Sequence, residues 1–253
     1  GTEVYIPLGS ANAIAVVDAQ SDSIVAEIPG INASHGLAVS MDGALLLAGS
    51  LLERPVGDAP SKPQGMSDEE HASHHSMGKQ TSPTQTATGK TIGSAYFIDA
   101  VGRRLLRQID VPGAVHHALI IPNGSFGILT HPGRGSVSVV DIHAQRLHKE
   151  LPTGPTPNYA VSKRDGSLIY VSNSGNETVS EIETKNWTVL RNLPAGKTPE
   201  HIVLSPDENY LYSVNPTGGT VSRVDLKLGK VTKTFTVGED PHGVDISDNG
   251  RFL

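Results

Sequence analysis

Short runs in which β-branched or apolar residues alternate with polar ones dominate this chain, and Gly, Pro, Asn and Asp cut them apart. Thr220-Val-Ser-Arg-Val-Asp225 and Lys230-Val-Thr-Lys-Thr-Phe-Thr-Val237 show the pattern, with a turn at Lys227-Leu-Gly229 between them. A period of two bounded by turn residues predicts half-buried strands rather than helices. The runs recur. Val115-His-His-Ala-Leu-Ile-Ile-Pro-Asn-Gly124, Pro157-Asn-Tyr-Ala-Val-Ser-Lys-Arg-Asp-Gly166, Pro199-Glu-His-Ile-Val-Leu-Ser-Pro-Asp-Glu208 and Pro241-His-Gly-Val-Asp-Ile-Ser-Asp-Asn-Gly250 start 42 residues apart. An earlier copy, Ser34-His-Gly-Leu-Ala-Val-Ser-Met-Asp-Gly43, lies 81 residues before the first of these, a surplus of 39 over one period. A second landmark has the same spacing: Asp18, Asp99, Asp141, Glu183 and Asp225 each close a Val/Ile-rich run at gaps of 81, 42, 42 and 42.

Within one period the order is strand, turn, strand, loop, strand, turn, strand. A strand-only repeat of roughly 40–50 residues means propeller blades. The expected fold is therefore all-β, a β-propeller of four-stranded blades with a ~42-residue repeat, over 1–253 as one domain. The chain opens on a second-type strand, Glu3-Val-Tyr-Ile-Pro7, and stops inside another at Arg251-Phe-Leu253. Propellers usually close by pairing strands from both termini, so the domain is expected to be incomplete here, with about seven blades when complete. Leu168-Ile-Tyr-Val-Ser-Asn173 and Tyr210-Leu-Tyr-Ser-Val-Asn215, each followed by Thr-Val-Ser, resemble the core of the YVTN-repeat family. That resemblance implies the fold. It leaves function open, because the family spans surface-layer proteins, periplasmic binders and relatives of redox enzymes.

Composition narrows the functional classes. The net charge is −6 with no basic run, which argues against a nucleic-acid partner. No apolar stretch approaches the roughly 20 residues of a membrane helix. No signal peptide is visible, but Gly1 is not a native start, so a signal peptide removed before it is compatible with the sequence. With no Cys, disulfides and thiolate metal sites are excluded. No nucleophile–base–acid triad, nucleotide loop or haem motif is present.

The surplus residues fall at 51–92, between a second strand (Ala44-Leu-Leu-Leu-Ala-Gly49) and a third (Ser94-Ala-Tyr-Phe-Ile-Asp99). This insertion is rich in Pro, Ser, Thr, Gly and Gln and cannot bury a core of its own, so a loop or short helix is expected. It carries Met66-Ser-Asp-Glu-Glu-His-Ala-Ser-His-His-Ser-Met77, in which Glu70, His71, His74 and His75 would share one face of a helix. Two readings stand: a solvated linker, or a metal-capture segment.

Of the 11 histidines, six map to three positions of the repeat. The first strands start at His35, His116, Asn158, Glu200 and His242, and the next positions are Gly36, His117, Tyr159, His201 and Gly243. The second strands end at Ser50, His131, Asn173 and Asn215. In a propeller these positions share the end that carries the channel mouth, and the insertion leaves from that end. His143 and His148 fall elsewhere and read as surface residues. Either the ring is structural, or His35, His116, His117, His131, His201 and His242 bind a metal with Glu200 as ligand or orienting group. His71, His74 and His75 would add to that set. Imidazole donors with optional Glu and Met favour copper first and zinc second. Adjacent residues of a strand point to opposite faces, so His116 and His117 would need a local twist to share one ion. In architecture and histidine placement the chain resembles multicopper propellers such as nitrous oxide reductase and thiocyanate dehydrogenase. That resemblance implies a periplasmic or extracellular copper protein, in the fuller case a redox enzyme acting on a small molecule. The alternative is a non-catalytic propeller that stores or delivers metal or binds a protein partner.

Overall fold

The computed structural model describes residues 2–57 and 91–253. They form a β-propeller fold with four-stranded blades. Among the described residues the only helical pieces are three single 3-10 turns, at Gly9–Ala11, Pro132–Arg134 and Pro216–Gly218. No helix among these residues is long and apolar enough to cross a membrane.

Contacts divide the chain into two compact units. The first comprises Gly1–Ile120, Gly124–Leu129 and Ser138–Lys149. It holds the sheet of β1 (Glu3–Leu8), β2 (Ala13–Asp18) and β3 (Ser23–Pro29), paired in that order. It also holds β4 (Ser34–Val39), β5 (Leu45–Ser50), β6 (Arg54–Pro55), β7 (Thr91–Asp99) and β8 (Arg104–Val111). In this sheet β5 and β7 are central, with β4 and β8 outside them. Most of β9 (Ala118–Ile120), β10 (Phe126–His131), β11 (Ser136–Asp141) and β12 (Arg146–Pro152) belongs here too. The second unit comprises Ile121–Asn123, Thr130–Val137 and Glu150–Leu253. It contains β13 (Pro157–Ser162), β14 (Leu168–Asn173), β15 (Thr178–Glu183) and β16 (Thr188–Pro194), paired in sequence order. The sheet of β17 (Ile202–Leu204), β18 (Tyr210–Asn215), β19 (Thr220–Asp225) and β20 (Lys230–Thr236) repeats that order.

The central strands β5, β7, β14 and β15 are buried on both faces, unlike the half-buried strands that alternation predicts. Residues 46–50 of β5 and 93–98 of β7 are buried without a break, whereas the fourth strands β3, β16 and β20 are mostly exposed. Small polar residues such as Ser180 and Ser222 are buried where a one-sided sheet would place solvent-facing groups. In the first unit Ile14, Val16 and Ile28 pack on Leu46, Ala48, Tyr96 and Ile98. Leu47, Phe97 and Val111 form a further core with Ala118, Leu129 and Val140. In the second unit Tyr170, Val179 and Leu193 pack on Ile202, Leu211 and Val224. Fully burying one such side chain contributes about 1.5–3 kcal/mol.

Two features differ from the sequence expectation. First strands are shorter than the repeat suggests: β9 and β17 begin at Ala118 and Ile202, after the histidines that precede them. Residues 241–253 form a turn, in which Gly250 N–H donates to the Ser247 carbonyl and Ser247 N–H to the Phe252 carbonyl, with no strand around it. The same bonds close the β17–β18 hairpin at Ser205, Glu208 and Tyr210. There the ladder continues along β18.

Aspartates close many of the turns. Asp42, Asp165 and Asp207 accept from neighbouring Ser hydroxyls and backbone N–H groups, and these bonds hold each carboxyl below its ordinary range. Their folded-state pKa values lie under the unfolded value of about 3.9, so their contribution is present above that pH and is lost as the pH falls through the folded values. A triple Asn replacement at 42, 165 and 207 should therefore lower Tm at neutral pH and flatten the further loss of Tm below about pH 4. An unchanged acid slope in the triple variant would remove the turns as its cause.

Candidate functional site

The side chains that start the first strands are set by irregular backbone. Ala33, Thr156, Thr198 and Asp240, at equivalent positions just before those starts, have left-handed φ of 44°, 54°, 52° and 48°. The β4 and β13 registers shift between Ser34 and Leu37 and between Pro157 and Ala160. Strict alternation therefore does not govern where His35, Gly36, Asn158 and Tyr159 point. The lead-in to β9 is made differently: the Ala114 N–H donates to Glu53 Oε1 at 2.9 Å, and Thr91 Oγ donates to Glu53 Oε2 at 2.6 Å. Glu53 and Thr91 are the roots of the insertion, where Arg54 also pairs with Asp110. His71, His74 and His75 lie outside the described residues, as does most of the expected 51–92 insertion.

In the first unit His35 is exposed, and His116 and His117 are half-buried. The His35 ring lies 4.8 Å from that of His116, with the planes at 39°. Nδ1 of His35 is 2.8 Å from the carbonyl oxygen of His116. Gly36 permits this approach, since a Cβ there would sit 2.8 Å from the backbone of His117 and Ala118.

In the second unit hydroxyls fix the same lead-in. Thr130 donates to the Asn158 carbonyl at 3.0 Å and Ser172, one period on, to the Glu200 carbonyl at 2.6 Å. Ser172 also accepts from the Tyr159 N–H at 3.0 Å. Tyr159 and His201 then stack, with centroids 4.3 Å apart and planes at 27°. His201 lies 4.8 Å from His242, whose Nε2 is 3.7 Å from a Glu200 carboxylate oxygen. The last contact is a loose ion pair that exists only when the imidazole is protonated. With His242 74% exposed, it is worth less than about 1 kcal/mol. Burial, and then the charge of Asp245, push the Tyr159 phenol above its ordinary pKa, so it stays neutral at physiological pH.

His131 is fully buried at the end of β10. Its repeat-mates Asn173 and Asn215 show what that slot does. Asn173 accepts from the Gly154 N–H and donates to Thr178 and Ser180, and Asn215 donates to Thr220 and Ser222. Ser136 and Ser138 stand at the equivalent positions beyond His131.

The structure thus groups His35 with His116, and Glu200 with His201 and His242. Among the described residues no set of three or more His, Asp or Glu is arranged to hold a metal ion. Sequence reasoning passed over Tyr159, Asp245 and the Ser172 clamp. Tyr159 was detectable, since it occupies the repeat position of His201, whereas nothing local marks Asp245.

The repeat, the four-stranded sheets and their stacking define a β-propeller protein. Residues 151–253 match the sequence model of the YNCE-like β-propeller family. No relative was found among the curated proteins. Among solved structures, Kuenenia stuttgartiensis hydrazine synthase is similar over 99% of this chain and 69% of its own, at 15% identity and a TM-score of 0.73. A functionally unknown protein from Desulfotomaculum acetoxidans is similar over 99% and 70%, at 15% identity and a TM-score of 0.71. The dihydro-heme d1 dehydrogenase NirN, in complex with DHE, is similar over 95% of this chain and 45% of its own, at 13% identity and a TM-score of 0.66. At these identities the likeness is one of fold.

Replacing Ser172 with Ala removes the donor to the Glu200 carbonyl and the acceptor of the Tyr159 N–H. Urea unfolding should show a loss of about 1–3 kcal/mol, and Ser172→Thr should recover most of it because Thr130 fills the same role. An alanine variant as stable as the parent would mean the clamp is dispensable.

Proposed function

We propose that this propeller captures a divalent transition metal, copper in preference to zinc, through imidazoles at the starts of its first strands. The observation that carries the reading is the adjacency of His201, His242 and Glu200: two imidazoles and a carboxylate side by side and partly exposed. With no thiolate in the chain, such nitrogen and oxygen donors rank copper above zinc. The three side chains would have to rotate to converge on one ion. Adjustable, partly exposed donors suit capture, storage or delivery, whereas catalysis requires a preset shell with an open position. A chain without Cys has no thiol for copper to oxidise, which fits a periplasmic or extracellular setting, with a protein partner receiving the metal.

A redox enzyme acting on a small molecule is the second reading. It is favoured by Tyr159, an oxidisable phenol stacked on His201, and by the enzyme names of two proteins that share the fold.

The test is to strip the protein with chelator, reload it with Cu(II), remove the excess by gel filtration and measure metal per chain. About one ion or more should be retained near pH 7.5 and released in acid, because protonated imidazoles no longer coordinate. His201→Ala and His242→Ala should each reduce occupancy while the fold persists. A parent protein that elutes free of copper and zinc would sink the reading.

A further inference from the structure

We infer that His35 is a preset metal donor: its Nδ1–H is committed to the His116 carbonyl, and its Nε2 lone pair is presented outward to a divalent copper or zinc ion. The inference rests on the metal-capture reading and assigns it a second, independent donor position, in the first unit.

The geometry follows from one missing hydroxyl. In later repeats the carbonyl at the start of a first strand accepts from Thr130 or Ser172. The residue at that position for the His116 carbonyl is Gly49, 81 residues before Thr130. No hydroxyl-bearing residue fits there, because a Cβ on Gly49 would collide with the side chain of Val115. The His35 ring reaches the carbonyl instead, at 2.8 Å. A carbonyl oxygen only accepts, so the proton must sit on Nδ1, and the neutral ring then carries its lone pair on Nε2. Among the described residues Nε2 of His35 makes no hydrogen bond, and the side chain is exposed. An imidazole that donates one N–H to a backbone carbonyl while offering the other nitrogen is oriented and fixed in tautomer, as metal-binding histidines are. The His116 ring lies 4.8 Å away.

The substitutions that separate the roles are His35→Asn and His35→Gln. An Asn amide can copy the Nδ1 donor but offers no ring nitrogen, so it should preserve the thermal stability that His35→Gln loses. It should also weaken zinc binding at this position by about tenfold or more. On uniformly 15N-labelled metal-free protein, long-range proton–nitrogen spectra should show His35 as the Nδ1–H tautomer, and adding Zn(II) should shift its Nε2 resonance. An Nε2–H tautomer in the metal-free protein overturns the inference whatever metal does elsewhere. Zinc that shifts His201 or His242 and leaves His35 unmoved overturns the donor role and leaves the capture reading standing. A protein that binds neither copper nor zinc overturns both, with the tautomer still readable on its own.

Discussion

Everything in this structure depends on the burial of both faces of the central strands. β5, β7, β14 and β15 carry apolar or small residues on either side, so a sheet standing alone would expose its core twice over. Stacking is the only way to remove that surface from water, and it makes the sheets interdependent. At roughly 25 cal/mol per Å2 of apolar surface, covering both faces is the dominant stabilising term. The outer strands, covered on one side at most, contribute less and are free to carry charge. Arg191 reaches from β16 to Glu181 with two hydrogen bonds of 3.0 Å.

Stacked sheets leave backbone groups at their ends that no ladder satisfies, and buried amides and carbonyls must find partners. Side chains at fixed repeat positions take them. The Asn at the end of a second strand holds the Gly154 N–H in one blade, and Ser or Thr one residue earlier holds the carbonyl that starts the next first strand. These contacts explain the conspicuous parts of the repeat better than strand propensity does. Tyr-Val-Ser-Asn in β14 combines a buried ring and a packed Val with a hydroxyl clamp and an amide clamp.

The sequence made the second and third strands legible, because period, punctuation and packing agree over β10–β11, β14–β15 and β18–β19. First strands were less so. His116, His117, Glu200 and His201 precede regular pairing, since their geometry is dictated by clamps from Ser50, Ser172 and Val214 and not by alternation. The Val115 N–H, for example, donates to the Ser50 carbonyl at 2.7 Å. Histidine positions could be read from the repeat, but their burial could not. His131 and His242 both belong to repeat slots, yet one is wholly enclosed and the other largely open. The difference is physical: the Asn slot lies between packed sheets, and the lead-in slot lies before the ladder begins.

That difference also locates where this fold can vary its chemistry. At the start of a first strand the fold holds the backbone carbonyl, as at His116, Asn158 and Glu200, whichever side chain is attached to it. Side chains there are therefore free to differ between blades, and imidazole, amide and carboxylate all occur. In the Asn slot the side chain itself satisfies buried groups, as Asn173 does, whose loss would cost about 1–3 kcal/mol each. His35 is the exception among the lead-in residues, because it both occupies a free slot and supplies the clamp that Gly49 cannot. A residue held in place by the needs of the fold, with one reactive atom left over, has its rotamer and tautomer fixed before any ligand arrives, so binding at that atom incurs no ordering cost.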